Sequence, residues 1–280
     1  MQCAPFYFIL ANANAQPMTT LSHKWILITG ASSGLGLEMA KYLATKHQAN
    51  LILVARRADR LAALQEEIQN TSGVEVSTIT ADLTHPEETH RVAEQCTAKE
   101  GFHGAILNAG MTYLGEHAQL EESQIAQILN LNVISTTKLA SHFVRHFEQT
   151  QKPGKIMVIS SLAAHYPTPY QALYSGTKGF ITNFINSVAL EIKNPELTLS
   201  VFSPGGIVTD MTASEGFKDL QKWLMPVQTA TREAIHCFVT GKHNYVPGFM
   251  NRVAFAFMKI LPLKLITTIL GKQYRKSLGL

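Results

Sequence analysis

Apolar residues along this chain fall into short continuous runs, separated by longer stretches in which they recur every three or four positions. The runs are Trp25–Thr29, Asn50–Ala55, Glu75–Thr80, Ala105–Asn108, Lys155–Ser160 and Thr198–Ser203, with a shorter one near Tyr245-Val246. Most are rich in β-branched residues, which marks strands buried on both faces rather than strands with one wet face. The stretches around 35–47, 58–70, 86–99, 121–148 and 170–193 carry the helical period, and another helix is expected near Thr229–Thr240. Strands alternating with helices predict an α/β chain, a doubly wound parallel sheet with helices on both faces.

At 280 residues, 46% hydrophobic and 16% charged, the chain has ample apolar material for one large core. The expected organisation is an N-terminal arm or leader over 1–20 and a single domain over 21–280. Cys3, Cys96 and Cys237 are scattered without a CxxC or any metal-ligand spacing, which suits a reduced protein of the cell interior and no bound metal. The net charge of +4 is unevenly placed: Asp and Glu are absent from Ala234 onward. Lys242, Arg252, Lys259, Lys264, Lys272, Arg275 and Lys276 all lie there. The rest is slightly acidic, so the basic balance describes a tail rather than a nucleic-acid surface.

Near the start, Phe6-Tyr7-Phe8-Ile9-Leu10 leads to Ala13-Asn14-Ala15, a signal-peptidase-like sequence without the basic n-region of a secretory leader. A leader, an arm, and a misplaced start with Met18 near the domain boundary all stand as readings. No run of 18 apolar residues occurs, so no membrane span is expected.

The first strand runs into Gly30-Ala31-Ser32-Ser33-Gly34-Leu35-Gly36 and then a helix. Gly30 suits a tight turn, Gly34 close approach of a pyrophosphate, and Gly36 close packing of helix on sheet. The helix start adds free N–H donors and a positive dipole end. The second strand ends at Ala55-Arg56-Arg57, about twenty residues later, where NAD-selective sites place a carboxylate. Two guanidinium groups suit a 2′-phosphate instead, with Ser32 adding a hydroxyl. Asp82-Leu83, after the third strand, stands where a carboxylate could accept from an adenine amino group.

Tyr174 and Lys178 lie four apart on a predicted helix, hence on one face, with Ser161 thirteen positions upstream. A free phenol, with a pKa of about 10, is a poor acid at neutral pH. A neighbouring ammonium favours the phenolate and makes the phenol a usable proton donor and acceptor.

In order, Thr29-Gly30-x-x-x-Gly34-x-Gly36, Asp82, Asn108-Ala109-Gly110, Asn132, Ser161, Tyr174-x-x-x-Lys178 and Pro204-Gly205-x-x-x-Thr209 resemble the short-chain dehydrogenase/reductase family from about Lys24 to Gly248. Leu107 and Leu131 depart from the family pattern at neighbouring, less critical positions. The resemblance implies a Rossmann-type sheet of seven parallel strands, a nicotinamide cofactor read here as NADP(H), and a homodimer or homotetramer formed through two long helices. It implies that Tyr174 exchanges the proton of a carbonyl or alcohol and that Ser161 holds the same oxygen. Lys178 would lower the phenol pKa and hold the ribose, and Asn132 would order a water behind it. The cofactor would lie against Gly30, Ser32, Ser33, Gly34, Leu35, Gly36, Arg56, Arg57, Asp82, Leu83, Asn108, Ala109, Gly110, Tyr174, Lys178, Pro204, Gly205, Ile207 and Thr209. Residues 210–228 would form a substrate lid, whose Phe217, Trp223, Leu224 and Met225 suit a lipid-like, steroid-like or aromatic substrate.

The expected activity is therefore interconversion of carbonyl and alcohol on an apolar small molecule. The rival is an NADP(H)-binding regulator or scaffold without chemistry. His142 and His146 share a helical face without an acidic partner in sequence and read as solvated. His165 reads as a loop residue without a catalytic role, and Cys237 as core. The tail, 249–280, is either a helical cap on the substrate cleft or subunit interface, or an amphipathic element for a membrane interface. The expected location is the cytoplasm, with peripheral contact to the inner face of a membrane under the second reading.

Overall fold

A computed structural model describes residues 21–209, 212 and 224–280. The strands are β1 (Trp25–Thr29), β2 (Asn50–Ala55), β3 (Val76–Thr80), β4 (Phe102–Leu107), β5 (Gly154–Ile159), β6 (Leu197–Phe202) and β7 (Asn244–Tyr245). They form one sheet in the order β3-β2-β1-β4-β5-β6-β7, every pairing parallel. Between them run α1 (Gly34–His47), α2 (Ala58–Ser72), α3 (Pro86–Thr97), α4 (Glu122–Leu129), α5 (Thr136–Thr150), α6 (Ala172–Glu191) and α7 (Val227–Thr240). After β7 come α8 (Phe249–Met258) and α9 (Leu263–Ser277).

The doubly wound class follows from the continuous apolar runs. Alternate side chains of a strand face opposite ways, so a strand apolar throughout needs cover on both sides. Ile26 and Ile28 of β1 join Met39, Leu43 and Phe238 beneath α1 and α7, whereas Leu27 joins Phe143, Phe147 and Ile185 beneath α5 and α6. Strand order reverses between β1 and β4, which opens a crevice beyond their C-terminal ends.

Two expectations change. The single helix over 121–148 is α4 and α5 joined by a π-helical turn, Asn130–Ser135. Such turns widen a helix locally and recur at functional sites; this one turns Asn132 into the interior, where it is buried. β4 begins at Phe102, not Ala105: His103 and Gly104 break the apolar run in sequence, yet Phe102 pairs with Trp25 and Gly104 with Ile26, and His103 is the extra residue at the register shift between them. The expected arm, 1–20, and most of the lid, 210–228, lie outside the described residues.

The chain beyond β7 turns back over the crevice. Tyr274 Oη of α9 donates to Gln171 Oε1 at 3.1 Å, Gly271 packs against Pro169, and Ile266 is buried. Asn251 of α8 lies against Gly205.

Candidate active site at the carboxyl ends of the strands

The glycine-rich turn is built by what the strands leave room for. Gly30 sits at φ +69°, a left-handed conformation that an L side chain rarely takes, and its N–H donates to Val54 O at 2.8 Å. At Gly36 a Cβ would stand 2.3 Å from Gly30 O and 2.6 Å from Asn108 Nδ2, so any larger residue would push α1 away from the sheet. Thr29 stitches the neighbouring strand end to this turn. Its hydroxyl accepts from the N–H groups of Asn108 and Ala109, both at 3.0 Å, while Asn108 Nδ2 donates to Thr29 O at 3.0 Å.

Arg57 reaches across from the end of β2. Its Nη2 donates to Ser32 Oγ at 2.9 Å and Ser33 Oγ at 2.8 Å, and its Nε to Ser32 Oγ at 3.2 Å. Arg56 turns the other way, 3.9 Å from Asp82 Oδ2. Burial raises the Asp82 carboxyl, but hydrogen bonds from the Thr84 N–H and hydroxyl, with Arg56 nearby, outweigh it and hold the group below the usual carboxylate range.

Ser161 follows β5, and its Oγ accepts from Ala163 N at 3.2 Å. Tyr174 and Lys178 stand on one face of α6, as their spacing predicts. Lys178 Nζ donates to Ile159 O at 2.8 Å and lies 5.8 Å from the centre of the Tyr174 ring. The electrostatics differ from the sequence expectation. Burial raises the Tyr174 pKa, and the hydrogen bond with Ser161, rather than Lys178, draws it back. Burial also pulls Lys178 down to about 8. The reason is dielectric: a dry pocket penalises both charged forms.

Asn132 stands behind Lys178. Its Oδ1 accepts from Met111 N at 2.9 Å, and its Nδ2 donates to Met111 O at 2.9 Å and Thr177 Oγ1 at 3.1 Å. Both amide protons are committed, leaving one lone pair of Oδ1 free to accept. A Cβ on Gly110 would meet that oxygen at 3.3 Å and Lys178 Nζ at 3.4 Å, so the two groups flank one spot.

A cavity of about 760 Å³ joins these groups. All the residues expected at the site line it except Gly36 and Asn132, which support the wall from behind. His165 is not in the lining; its ring packs 4.6 Å from Phe255 of α8. Sequence reading missed Thr112, Tyr166, Thr168, Gln171, Asn251, Leu270, Gln273 and Tyr274, which also line the cavity. Gln171 was within reach, since it precedes Tyr174 by three positions; it donates to Thr112 Oγ1 at 3.2 Å. Nothing local in the sequence marks Tyr274, whose phenol burial lifts to about 12 and which only the return of α9 brings in.

A doubly wound parallel sheet with a glycine-rich turn at β1 and a Ser, Tyr and Lys on one cavity is the architecture of a Rossmann-type oxidoreductase. The family model described as short chain dehydrogenase matches residues 24–219, and the chain belongs to that family of oxidoreductases. It is 31% identical over 244 residues to 17-beta-hydroxysteroid dehydrogenase type 3 of Mus musculus, covering 82% of this chain and 76% of that protein. It is 28% identical over 205 residues to inactive hydroxysteroid dehydrogenase-like protein 1 of Homo sapiens, covering 72% of this chain and 62% of that one. Among solved structures it resembles a short-chain dehydrogenase from Sphingobium yanoikuyae in complex with NADPH, at 27% identity and a TM-score of 0.77, covering 84% of this chain and 92% of that one.

Proposed function

We propose that this chain is an NADP(H)-dependent oxidoreductase that interconverts a carbonyl and an alcohol on an apolar, steroid-sized substrate. The observation that carries the reading is one cavity holding Ser161, Tyr174 and Lys178 at one end and the Arg57–Ser32–Ser33 cluster at the other. The residues fit the cofactor class. Gly36 leaves no side chain in the turn, Arg57 presents its donors beside two hydroxyls, and the end of β2 carries no carboxylate. Ser32, Ser33 and Arg57 would take the 2′-phosphate, Asp82 and Leu83 the adenine, and Asn108 to Gly110 with Pro204, Gly205, Ile207 and Thr209 the remainder. When bound, NADP(H) supplies or accepts the hydride.

The chain's own groups handle the proton. Tyr174 donates it to the carbonyl oxygen in reduction and removes it in oxidation, while the Ser161 hydroxyl holds that oxygen in place. Lys178 holds the ribose and, when charged, favours the phenolate. Asn132, fixed by Met111 and Thr177, offers its free lone pair to a water leading from Lys178 to solvent.

The substrate class rests on the cavity's size, on Leu270 and Leu224 in its wall, and on the hydroxysteroid relatives. The inactive relative makes a binding protein without chemistry the second reading. Retention of Ser161, Tyr174, Lys178 and Asn132 in one connected site favours the enzyme.

We further read the chain as a single domain over 21–280 that works as a cytoplasmic homodimer or homotetramer. Phe180 and Leu190 on α6 and Ile134 before α5 are exposed and supply an apolar face for a second copy. Among the described residues no helix is long and apolar enough to cross a membrane. α8 and α9 line the cleft through Asn251, Leu270 and Tyr274, while they and the turn between them expose Phe257, Ile260, Leu263, Leu265 and Ile269 in a lysine-containing segment, which suits peripheral contact with an anionic lipid surface.

The test is NADPH oxidation with a panel of ketones and aldehydes that includes ketosteroids, followed by the reverse reaction with the matching alcohols. Turnover of a bulky apolar ketone that vanishes in Tyr174→Phe supports the enzyme reading. Tight NADPH binding with no turnover across the panel in either direction would favour the binding protein.

A further inference from the structure

The helix pair α3 and α5 lies on the face of the sheet away from the glycine-rich turn's helix, and it brings together three residues far apart in sequence. His90 and Glu94 are four apart on α3, and His142 comes from α5. One ligating atom of each lies within 4.8 Å of the others. His142 Nδ1 stands 3.7 Å from Glu94 Oε1, and the His90 and His142 rings meet edge to face at 6.4 Å. In sequence His142 and His146 lack an acidic companion; the tertiary packing supplies one for His142.

Hydrogen bonding allows one arrangement of His142 that leaves its Nδ1 free to ligate. The Thr97 hydroxyl lies 3.2 Å from both His142 Nε2 and the Ala93 carbonyl. A hydroxyl has one proton, and given to the carbonyl it makes Thr97 an acceptor toward the ring. His142 then carries its proton on Nε2, and the lone pair of Nδ1 faces the Glu94 carboxylate. In that arrangement two acceptors face each other, and either a proton or a metal cation between them relieves the repulsion. A backing hydrogen bond that sets the tautomer and aims the other ring nitrogen is the usual support of a metal-binding histidine.

We infer that His90, Glu94 and His142 form a binding site for a zinc-class divalent cation that clips α3 to α5. Two imidazoles and a carboxylate suit Zn²⁺, Ni²⁺ or Cu²⁺ rather than Mg²⁺, which prefers oxygen ligands throughout. Metal–ligand bonds of about 2.0–2.2 Å put tetrahedral ligands about 3.4 Å apart. His90 and Glu94 are exposed and free to close the difference, while the partly buried His142 stays anchored by Thr97. Solvent supplies the fourth ligand. α3 opens just after the Asp82 turn and α5 continues from the turn that carries Asn132, so the clip joins two supports of the cleft wall.

The experiment is titration of the full, untagged chain with Zn²⁺ alone, read by calorimetry and by thermal unfolding, with Mg²⁺ as the contrasting ion and Co²⁺ as a visible-absorption probe. The site predicts one Zn²⁺ per chain, a raised unfolding midpoint, and a Co²⁺ band of low coordination number. His90→Ala and His142→Ala should each weaken binding at least tenfold and abolish the band, Glu94→Gln should weaken it less, and His236→Ala should leave it unchanged. NADPH affinity in each variant confirms an intact fold and is independent of the metal readout. Zn²⁺ binding unaltered by the His90 and His142 variants, or no binding at tens of micromolar, overturns the site.

Discussion

Replacing Arg57 by Ala tests the cofactor assignment most directly. Arg57 carries three hydrogen bonds to Ser32 and Ser33, and no carboxylate stands at the end of β2 to favour a free ribose hydroxyl. A hydrogen bond to a charged group contributes about 1.5–3 kcal/mol, and since Arg57 is exposed the lower half of that range applies. A loss of about 2 kcal/mol corresponds to roughly thirtyfold weaker NADP(H) binding. NAD(H) lacks the 2′-phosphate, so its affinity should change less than about threefold by the same reasoning. Arg57→Lys should recover part of the loss, because an ammonium supplies charge without the planar fork. Isothermal titration of both cofactors against wild type and each variant reads the effect. Equal losses for the two cofactors would mean that Arg57 supports the turn rather than the phosphate, and wild-type preference for NAD(H) would sink the assignment altogether. Arg56→Asp should shift preference toward NAD(H), since it places a carboxylate at the expected strand end.

Tyr174→Phe should lower kcat by about 10²–10⁴-fold with cofactor affinity nearly intact, because only the proton donor is lost; stopped-flow turnover beside cofactor titration checks this. Burial brings Lys178 to about 8, so its charge is present below that pH and lost above it. kcat/KM for reduction should therefore fall as pH rises through about 8, and Lys178→Met should remove that limb from the pH profile. Gly36→Ala forces a Cβ onto the Gly30 carbonyl and should destabilise by about 1–3 kcal/mol, seen as a lower unfolding midpoint and weaker NADP(H) binding. Truncation after Asn251 should lower kcat/KM for bulky ketones, because it removes Tyr274 and Leu270 from the cavity. In co-sedimentation it should also abolish binding to anionic vesicles, to which each lost basic residue contributes about 1 kcal/mol. Wild-type kinetics in the truncated chain would show that the tail does not shape the site.

The sequence by itself determined the sheet and placed the groups proposed to react. Runs such as Ile26-Leu27-Ile28 and Leu51-Ile52-Leu53 are apolar at consecutive positions, and a strand of that kind is stable only when covered on both faces. Gly30, Gly34 and Gly36 mark where backbone must turn or approach closely, and the four-residue spacing of Tyr174 and Lys178 needs only a helix to bring them together. Such features are local, so periodicity and spacing reveal them. The break between α4 and α5 was not legible, because Asn130–Ser135 contains no Gly or Pro to mark it and its widening depends on Asn132 finding Met111 and Thr177.

What only the tertiary structure decided comes from contacts between distant segments. It turned Arg57 rather than Arg56 toward Ser32 and Ser33, a choice made by packing across 24 or 25 positions of sequence. It reversed the expected sign at Tyr174, since a phenol's pKa answers to how much water surrounds it, and burial is a property of the whole fold. It also laid α9 across the cleft, 103 positions from Gln171, and set Glu94 beside His142. The same physical reason covers all four. Charge, hydrogen bonding and dielectric act through space over a few ångströms, whereas sequence pattern reports only what lies within a few positions along the chain.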